Sequence, residues 1–484
     1  MSDLVPFLVT IPIVAATAPP VLARRFDRIG WPVAAVGLLA QTVLAAWVAW
    51  TVAVDGPMQT VVGGLPATLG IELAVDRLSA VFVLLVAVAG LWGLAYTRRG
   101  GPRTATGYTL YLLLVAGSTG ICVTRDVFNL YVFLEISGLS AYALVAVGDD
   151  AGAAPAALKY LLVGTVGASL YLLGVGYLYV ATGTLNMGAL SSLLATVGYD
   201  DRLVLAAFGL VVVGLGVKIA LFPVHTWKPD AYQTAPAGIA AVLAVIVSTV
   251  AAYALIRLLV SVFTVDFLAA NQLVVAGLQL AAVVSIVVGA ALALLQRDVR
   301  RMLAYSSVSQ LGIVVAGVAL GTPLGIVGGV VHLLGHAVMK GGAFAAVGVV
   351  ESATDARTVD EFAGTGDHLP VTSAVLATLS LGLVGIPPLV GFFGKWYVVL
   401  SAVRTGAWAV AVAVLVSTVL SLTYFARLVQ RLYLEPGDRR VDPGSVSPGM
   451  VAAGVVAALV ALALGFASAG LADLLLPAVE GGRP

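Results

Sequence analysis

A chain of 484 residues in which 61% are hydrophobic and only 10% charged cannot be arranged as an apolar core beneath a polar surface in water. Its net charge of +1 offers no surface for nucleic acid, and its single cysteine, Cys122, excludes an internal disulfide, a multi-cysteine metal site and an iron-sulfur cluster. Such a composition belongs to an all-α polytopic membrane protein, whose backbone must satisfy its own hydrogen bonds within the bilayer.

The first apolar run, residues 4–23, follows Asp3 rather than a basic segment and leads into Arg24 and Arg25. It therefore reads as a membrane helix and not as a cleaved leader. Further runs near 31–54, 74–97, 107–123, 126–147, 155–182, 203–223, 236–263, 271–295, 300–320, 323–350, 371–400, 407–433 and 448–467 bring the expectation to about 14 transmembrane helices. The loops between them are short, apart from 55–73 and the acidic 351–370, both read as solvated connectors. With the first loop in the cytoplasm, sixteen lysines and arginines fall on that side, Lys228 among them, and six on the other. That asymmetry places both termini outside a multi-pass protein of the cell membrane.

Two of these runs are interrupted. In GLGVKIALFPVHTWKPDAYQTAP, Lys218 sits five residues before Pro223, with His225 just beyond, and in GIPPLVGFFGKWY, Lys395 follows Pro387 and Pro388. Proline removes a backbone donor and clashes with the preceding turn, so each helix breaks beside a lysine. The breaks fall at matching places in helices 4–8 and 9–13. Two inverted five-helix repeats follow, dividing the chain into 1–103, 104–265, 266–440 and 441–484.

A charge inside the bilayer costs roughly 2.5–3.5 kcal/mol on insertion scales, so intramembrane ionisable residues mark function by default. Glu135, in RDVFNLYVFLEISGLSAYAL, is an acid well inside an expected helix and is read as the partner of Lys218, with a protonated, hydrogen-bonded structural glutamate as the alternative. Pairing holds the proton on the lysine, whereas departure of the glutamate releases it. His332, His336 and Lys340 recur every four residues in HLLGHAVMKGGAF, a stripe about 12 Å long on one helix face that reads as a proton relay, with helix packing by the histidines as the alternative. Ser306, Ser307, Ser309 and Gln310 on the preceding helix either hold ordered water for that relay or join helices. Lys395 completes the series, with an interfacial, snorkelling lysine as the alternative.

Together, RDVFNLYVFLEISGLSAYAL, VATGTLNMGAL, VKIALFPVHTWKPDAYQTAP, QRDVRRMLAYSSVSQLG, HLLGHAVMKGGAF and GIPPLVGFFGKW resemble the antiporter-like proton-translocating subunits. That family is shared by Mrp-type sodium/proton antiporters, respiratory NADH dehydrogenase and membrane-bound hydrogenases. GLPATLGIELAVDRLS, FNLYVFLE and TGTLNM are most similar to the D-type subunit of Mrp antiporters. The resemblance implies that Glu135 and Lys218 form the ion pair of a first half-channel, that Lys340 relays protons in a second, and that Lys395 ends the line. One departure stands out: where the D-type pattern has a lysine on the eighth helix, this chain has Thr249, so transfer there would use water near Ser248, Thr249 and Tyr253. No long lateral helix is expected after the last span, unlike the long subunit of the dehydrogenase.

The expected function is the proton-translocating subunit of a multi-subunit sodium/proton antiporter, a transporter rather than an enzyme, working with other membrane subunits on protons and sodium. The alternative is the proton-pumping membrane subunit of an NADH dehydrogenase-like or hydrogenase complex. A membrane scaffold with inert lysines is a rival from another class. No resident metal or cofactor is expected.

Overall fold

The computed structural model describes all residues except 1, 27, 65–69, 102–103, 438, 440 and 481–484. Arg103, Arg440 and Arg483 of the charge count, part of GLPATLGIELAVDRLS and the expected divisions at 103 and 440 lie outside the described residues.

The chain is nearly all helical. Its first half comprises α1 (Phe7–Leu22), α2 (Gly30–Asp55), α3 (Arg77–Gly100), α4 (Ala105–Val123), α5 (Val127–Ala146), α6 (Ala153–Thr182), α7 (Met187–Val197), α8 (Arg202–Ile219), α9 (Trp227–Thr234) and α10 (Ala237–Ser261). The second comprises α11 (Thr264–Ala270), α12 (Gln272–Leu294), α13 (Val299–Ala319), α14 (Pro323–Thr354), α15 (Thr365–His368), α16 (Pro370–Val384), α17 (Val390–Arg404), α18 (Trp408–Leu434), α19 (Pro448–Phe466) and α20 (Ser468–Glu480). Among the described residues, 13 helices are long and apolar enough to cross a membrane. The remaining expected span, 371–400, is the split pair α16 and α17, each of 15 residues.

Polar residues punctuate the apolar runs. Asp126, Asp298 and Thr322 cap α5, α13 and α14 by accepting a backbone N–H from the first turn, satisfying donors that a helix start leaves free. Loop 55–73, expected as a plain connector, holds an antiparallel hairpin of β1 (Met58–Val61) and β2 (Glu72–Val75), with Met58 opposite Val75. Its second strand leads into Asp76, which caps α3 through Ser79.

The innermost helix is α10, buried without interruption from Gly238 to Val260. It packs on α14, which in turn packs on α13 and α17. Around this spine α2, α6, α12, α18 and α19 turn Val36, Leu162, Leu280, Val419 and Leu459 outward, the surface that lipid chains cover in a polytopic protein.

Most ion pairs gather in two groups at the ends of helices. Lys159 and Arg301 share Asp230, Arg300 meets Glu351, Arg357 meets Asp150, and Arg439 meets Glu361. In the other group Arg125 and Arg257 share Asp76. Loop 351–370 is thus tied down by its acids.

Candidate functional site

The Lys218 segment is built by a helix that stops early. α8 ends at Ile219, four residues before Pro223, and Ala220 adopts a left-handed φ of 69°. That conformation costs a non-glycine residue of the order of 1–2 kcal/mol and is held only where packing over-determines it. The packing comes from α6: a Cβ on Gly214 would lie 2.6 Å from the Gly167 carbonyl oxygen, so the two backbones approach to a distance only glycine permits. Lys218 thereby falls in the last turn of α8, where unpaired carbonyls favour a cation.

Its Nζ donates to Glu135 Oε1 at 2.9 Å and to the Tyr142 hydroxyl at 2.9 Å, both from α5. The expected pair is therefore formed. Lys218 is 6% exposed, whereas the Glu135 side chain retains 19% exposure.

Lys340 and Lys395 are buried as expected but lean on backbone instead of acid. Lys340 Nζ, in the middle of α14, donates to the Leu303 carbonyl of α13 at 2.8 Å. Lys395 Nζ reaches back across the break to Leu383 and Val384 at 3.0 and 2.9 Å, the closing carbonyls of α16. It is no snorkelling lysine: the ammonium caps the negative end of a half-helix. Each lysine thus sets its charge near the C-terminal end of the half-helix before a proline break, Lys218 from the last turn of α8 and Lys395 from the following half-helix α17.

Between Lys340 and Lys395 lies a run of buried polar groups with no protein partner. Both ring nitrogens of His332 and of His336 are unpaired, as are Gln310 Oε1 and the Ser380 hydroxyl. The Gln310 amide donates to the Leu383 carbonyl at 3.3 Å, the same oxygen that Lys395 uses. Buried polar groups left in this way suit bridging water. The expected stripe is thus brought together with Gln310.

Three supporting residues stand differently. The Ser309 hydroxyl is consumed by the Ile286 carbonyl of α12 at 2.7 Å, so it joins helices. The Tyr253 hydroxyl donates to the Cys122 carbonyl at 2.9 Å and accepts from Arg257, which places it in the Asp76 cluster. His225 lies past the break of α8, buried, with Nδ1 unpaired and its ring 5.8 Å from that of Tyr305. Ser248 and Thr249 are buried on α10 as expected, and the Thr249 hydroxyl has no protein partner.

Lys228 corrects the charge count. Assigned to a cytoplasmic loop, it is instead 1% exposed on α9, and its Nζ donates to Ser248 Oγ at 2.8 Å. The reason is that the chain after Pro223 folds against α6 and α13 as a short buried helix. Asp230, two residues on, pairs with Lys159 and Arg301, and among the described residues Lys228 has no acid as partner.

A second feature not expected is the Asp76 cluster. Arg257, 4% exposed, chelates Asp76 at 2.7 and 2.8 Å while Arg125 joins at 2.7 Å.

The chain matches the family described as NADH:quinone oxidoreductase/Mrp antiporter, TM, over residues 124–421, a span that contains every lysine above. It is 42% identical over 453 residues to NADH-quinone oxidoreductase subunit N of Desulforudis audaxviator (strain MP104C), covering 90% of this chain and 89% of that protein. The D-type subunit of the Na(+)/H(+) antiporter of Bacillus subtilis (strain 168) is 29% identical over 428 residues, with 88% and 84% covered. A chain from the membrane-bound sulfane sulfur reductase, an archaeal respiratory membrane complex, superposes with a TM-score of 0.90 at 30% identity, covering 99% of this chain and 97% of that one. The expectation of a D-type Mrp protein therefore holds at the level of the family, and the likeness to the NADH-quinone oxidoreductase protein is the stronger.

Proposed function

Since the chain belongs to the NADH:quinone oxidoreductase/Mrp antiporter family, we propose that it is the proton-translocating membrane subunit of an NADH dehydrogenase-like respiratory complex. Protons move along Glu135, Lys218, Lys340 and Lys395. The observation that carries this reading is the contrast in partners: Lys218 pairs with a carboxylate at 2.9 Å, while Lys340 and Lys395 have only carbonyls.

The contrast sets a direction for charge. Two opposite charges 4 Å apart attract by about 4 kcal/mol at an effective dielectric constant of 20, so Lys218 keeps its proton while Glu135 is ionised and near. Neutralising or displacing Glu135 removes that support, and the proton passes toward Lys340, where the two histidines and Gln310 supply donors and acceptors. A membrane potential biases each step by about 2.3 kcal/mol per charge per 100 mV.

The expected division into two five-helix repeats fits the same reading: α5 packs on α6 and α6 on α8, as α13 packs on α14 and α14 on α16, with a break following α8 and α16. The end bearing Asp230, Glu351 and Asp150 with their arginines is assigned to the cytoplasm, and both termini to the outside.

The likeness to the Bacillus subtilis antiporter protein favours, as a second reading, a sodium/proton antiporter working with other Mrp-like subunits. The test is Lys218→Ala in the assembled complex, reconstituted in vesicles. Proton uptake driven by electron donors and abolished by the substitution supports the redox reading, and uptake driven only by a sodium gradient supports the antiporter. Undiminished uptake in either assay supports the scaffold and sinks both.

A further inference from the structure

Lys228 takes no part in the line just described, yet it is buried at its middle. α9 packs on α6 and α13, and Trp227 and Tyr232 tie it to the two lysine-bearing helices α8 and α14. The Trp227 indole donates to the carbonyl of Val217, the residue before Lys218, at 2.9 Å and stacks on Tyr160 at 3.9 Å. Tyr160 in turn meets Tyr142, whose hydroxyl holds Lys218, at 4.4 Å. On the other side the Tyr232 ring lies 5.5 Å from Phe344, one turn beyond Lys340 on α14.

The immediate surroundings of its ammonium are sparse. Ser248 Oγ accepts at 2.8 Å, the Tyr232 ring lies 5.3 Å away, and no carboxylate pairs with it among the described residues. Thr249, next to Ser248, holds a buried hydroxyl with no protein partner. α10, which carries both hydroxyls, packs on α14 so closely that a Cβ on Gly341 would lie 2.2 Å from Val245 Cγ2. A buried ammonium costs several kcal/mol unless compensated, and nothing in the fold uses Lys228 to hold another charge. A lysine held there by a hydroxyl and a ring, with no carboxylate partner among the described residues, is suited to taking up and releasing a proton.

We propose that Lys228 is the proton carrier between Lys218 and Lys340, an inference that rests on the proton-translocating reading above. The ammonium of Lys218 gives its proton to the neutral amine of Lys228, leaving Lys218 neutral and Lys228 charged. Lys228 then passes the proton toward Lys340 past Ser248, Thr249 and His336. Repulsion between neighbouring ammonium groups keeps the steps sequential, since a proton arriving at one lysine disfavours a second on the next. The position that lacks a lysine at Thr249 is thus supplied from α9 through Ser248.

The test uses the complete complex in vesicles, with assembly checked by the yield of co-purified subunits. Lys228→Met is expected to lower proton translocation by the order of a hundredfold, the usual contribution of a positioned proton-transfer group. Lys228→Arg keeps charge and hydrogen bond but cannot release a proton, so it is expected to fail as badly. Adding Thr249→Lys to Lys228→Met returns a titratable amine to the same place and is expected to restore translocation. Wild-type rates in Lys228→Met or Lys228→Arg overturn the proposal, as does a double variant that assembles and stays inactive. Lys218→Ala measured alongside separates the two claims: if it alone is inactive while both Lys228 variants translocate, only the Lys228 step falls, and if it too translocates, the underlying reading falls.

Discussion

Glu135 and Lys218, on α5 and α8, meet at 2.9 Å with unequal cover, the carboxylate side chain 19% exposed and the lysine side chain 7%. The acid is therefore the member of the pair that a neighbouring protein or a water molecule can reach. Glu135→Gln keeps an acceptor near Lys218 but removes the charge that holds its proton. Breaking a buried pair by removing one charge costs about 3–5 kcal/mol, and partial exposure reduces this. Translocation by the assembled complex is expected to fall by roughly tenfold, equivalent to about 1.4 kcal/mol, and less than in Lys218→Ala. Equal rates in Glu135→Gln and wild type would show that the pair carries no proton.

Tyr142 offers a second handle on the same ammonium. A Cβ added at Gly164 would lie 2.1 Å from the Tyr142 hydroxyl, and the ring cannot retreat freely because Tyr160 stands against it at 4.4 Å. Gly164→Ala should push the hydroxyl off Lys218, and Tyr142→Phe removes it. A hydrogen bond to a charged group contributes about 1.5–3 kcal/mol. Both variants should then slow translocation by a similar factor of roughly ten. If Tyr142→Phe slows it and Gly164→Ala does not, the ring has moved without breaking the contact.

Much of this was legible in the chain, for definite reasons. The apolar runs marked the membrane helices because a bilayer demands about twenty apolar residues per crossing, and Glu135 with Lys218 stood out because intramembrane charges are expensive. Lys228 was misplaced because it sits among Trp, Pro and Asp in a segment that looks like a loop: composition alone does not show that Trp227 and Tyr232 pull α9 back into the bundle. Sequence neighbours group Ser309 and Tyr253 with the relay, while their hydroxyls donate to the Ile286 and Cys122 carbonyls. Asp76 was hidden differently, since a lone acid before an apolar run reads first as a helix cap, and only the tertiary structure brings Arg125 and Arg257 to it.

The second half of the site depends on how closely α14 and α17 approach. A Cβ at Gly394 would lie 2.6 Å from the backbone and Cβ of His332, and backbone cannot yield as a flexible side chain can. Gly394→Ala must part the two helices, moving Lys395 away from His332. Overpacking of this kind costs about 1–3 kcal/mol, read as a lower midpoint of thermal unfolding in detergent, and translocation should fall with it. Unchanged stability together with unchanged translocation would mean that the α14–α17 contact is looser than the geometry requires.

The Asp76 cluster makes the opposite prediction, stability without a part in transport. Burial by itself would raise the Asp76 carboxyl, but Arg257, Arg125 and the Ser79 backbone N–H outweigh it and hold the group well below the usual carboxylate range. A carboxyl so depressed contributes stability that is present above its unfolded-state value and lost as pH falls toward its folded-state value. Detergent-solubilised protein should therefore lose this contribution only under acid conditions. Asp76→Asn leaves Arg257 buried against a neutral amide at a cost of about 3–5 kcal/mol. Replacing the pair together, as Asp76→Asn with Arg257→Met, removes the more buried of the two stranded charges, Arg125 being the other, and should recover part of that loss. Tyr253 and Arg257 face the hairpin end of α10, away from the lysine line, so proton translocation per assembled complex should stay near wild type in the double variant. A selective loss of translocation with stability intact would instead place Asp76 on a proton route.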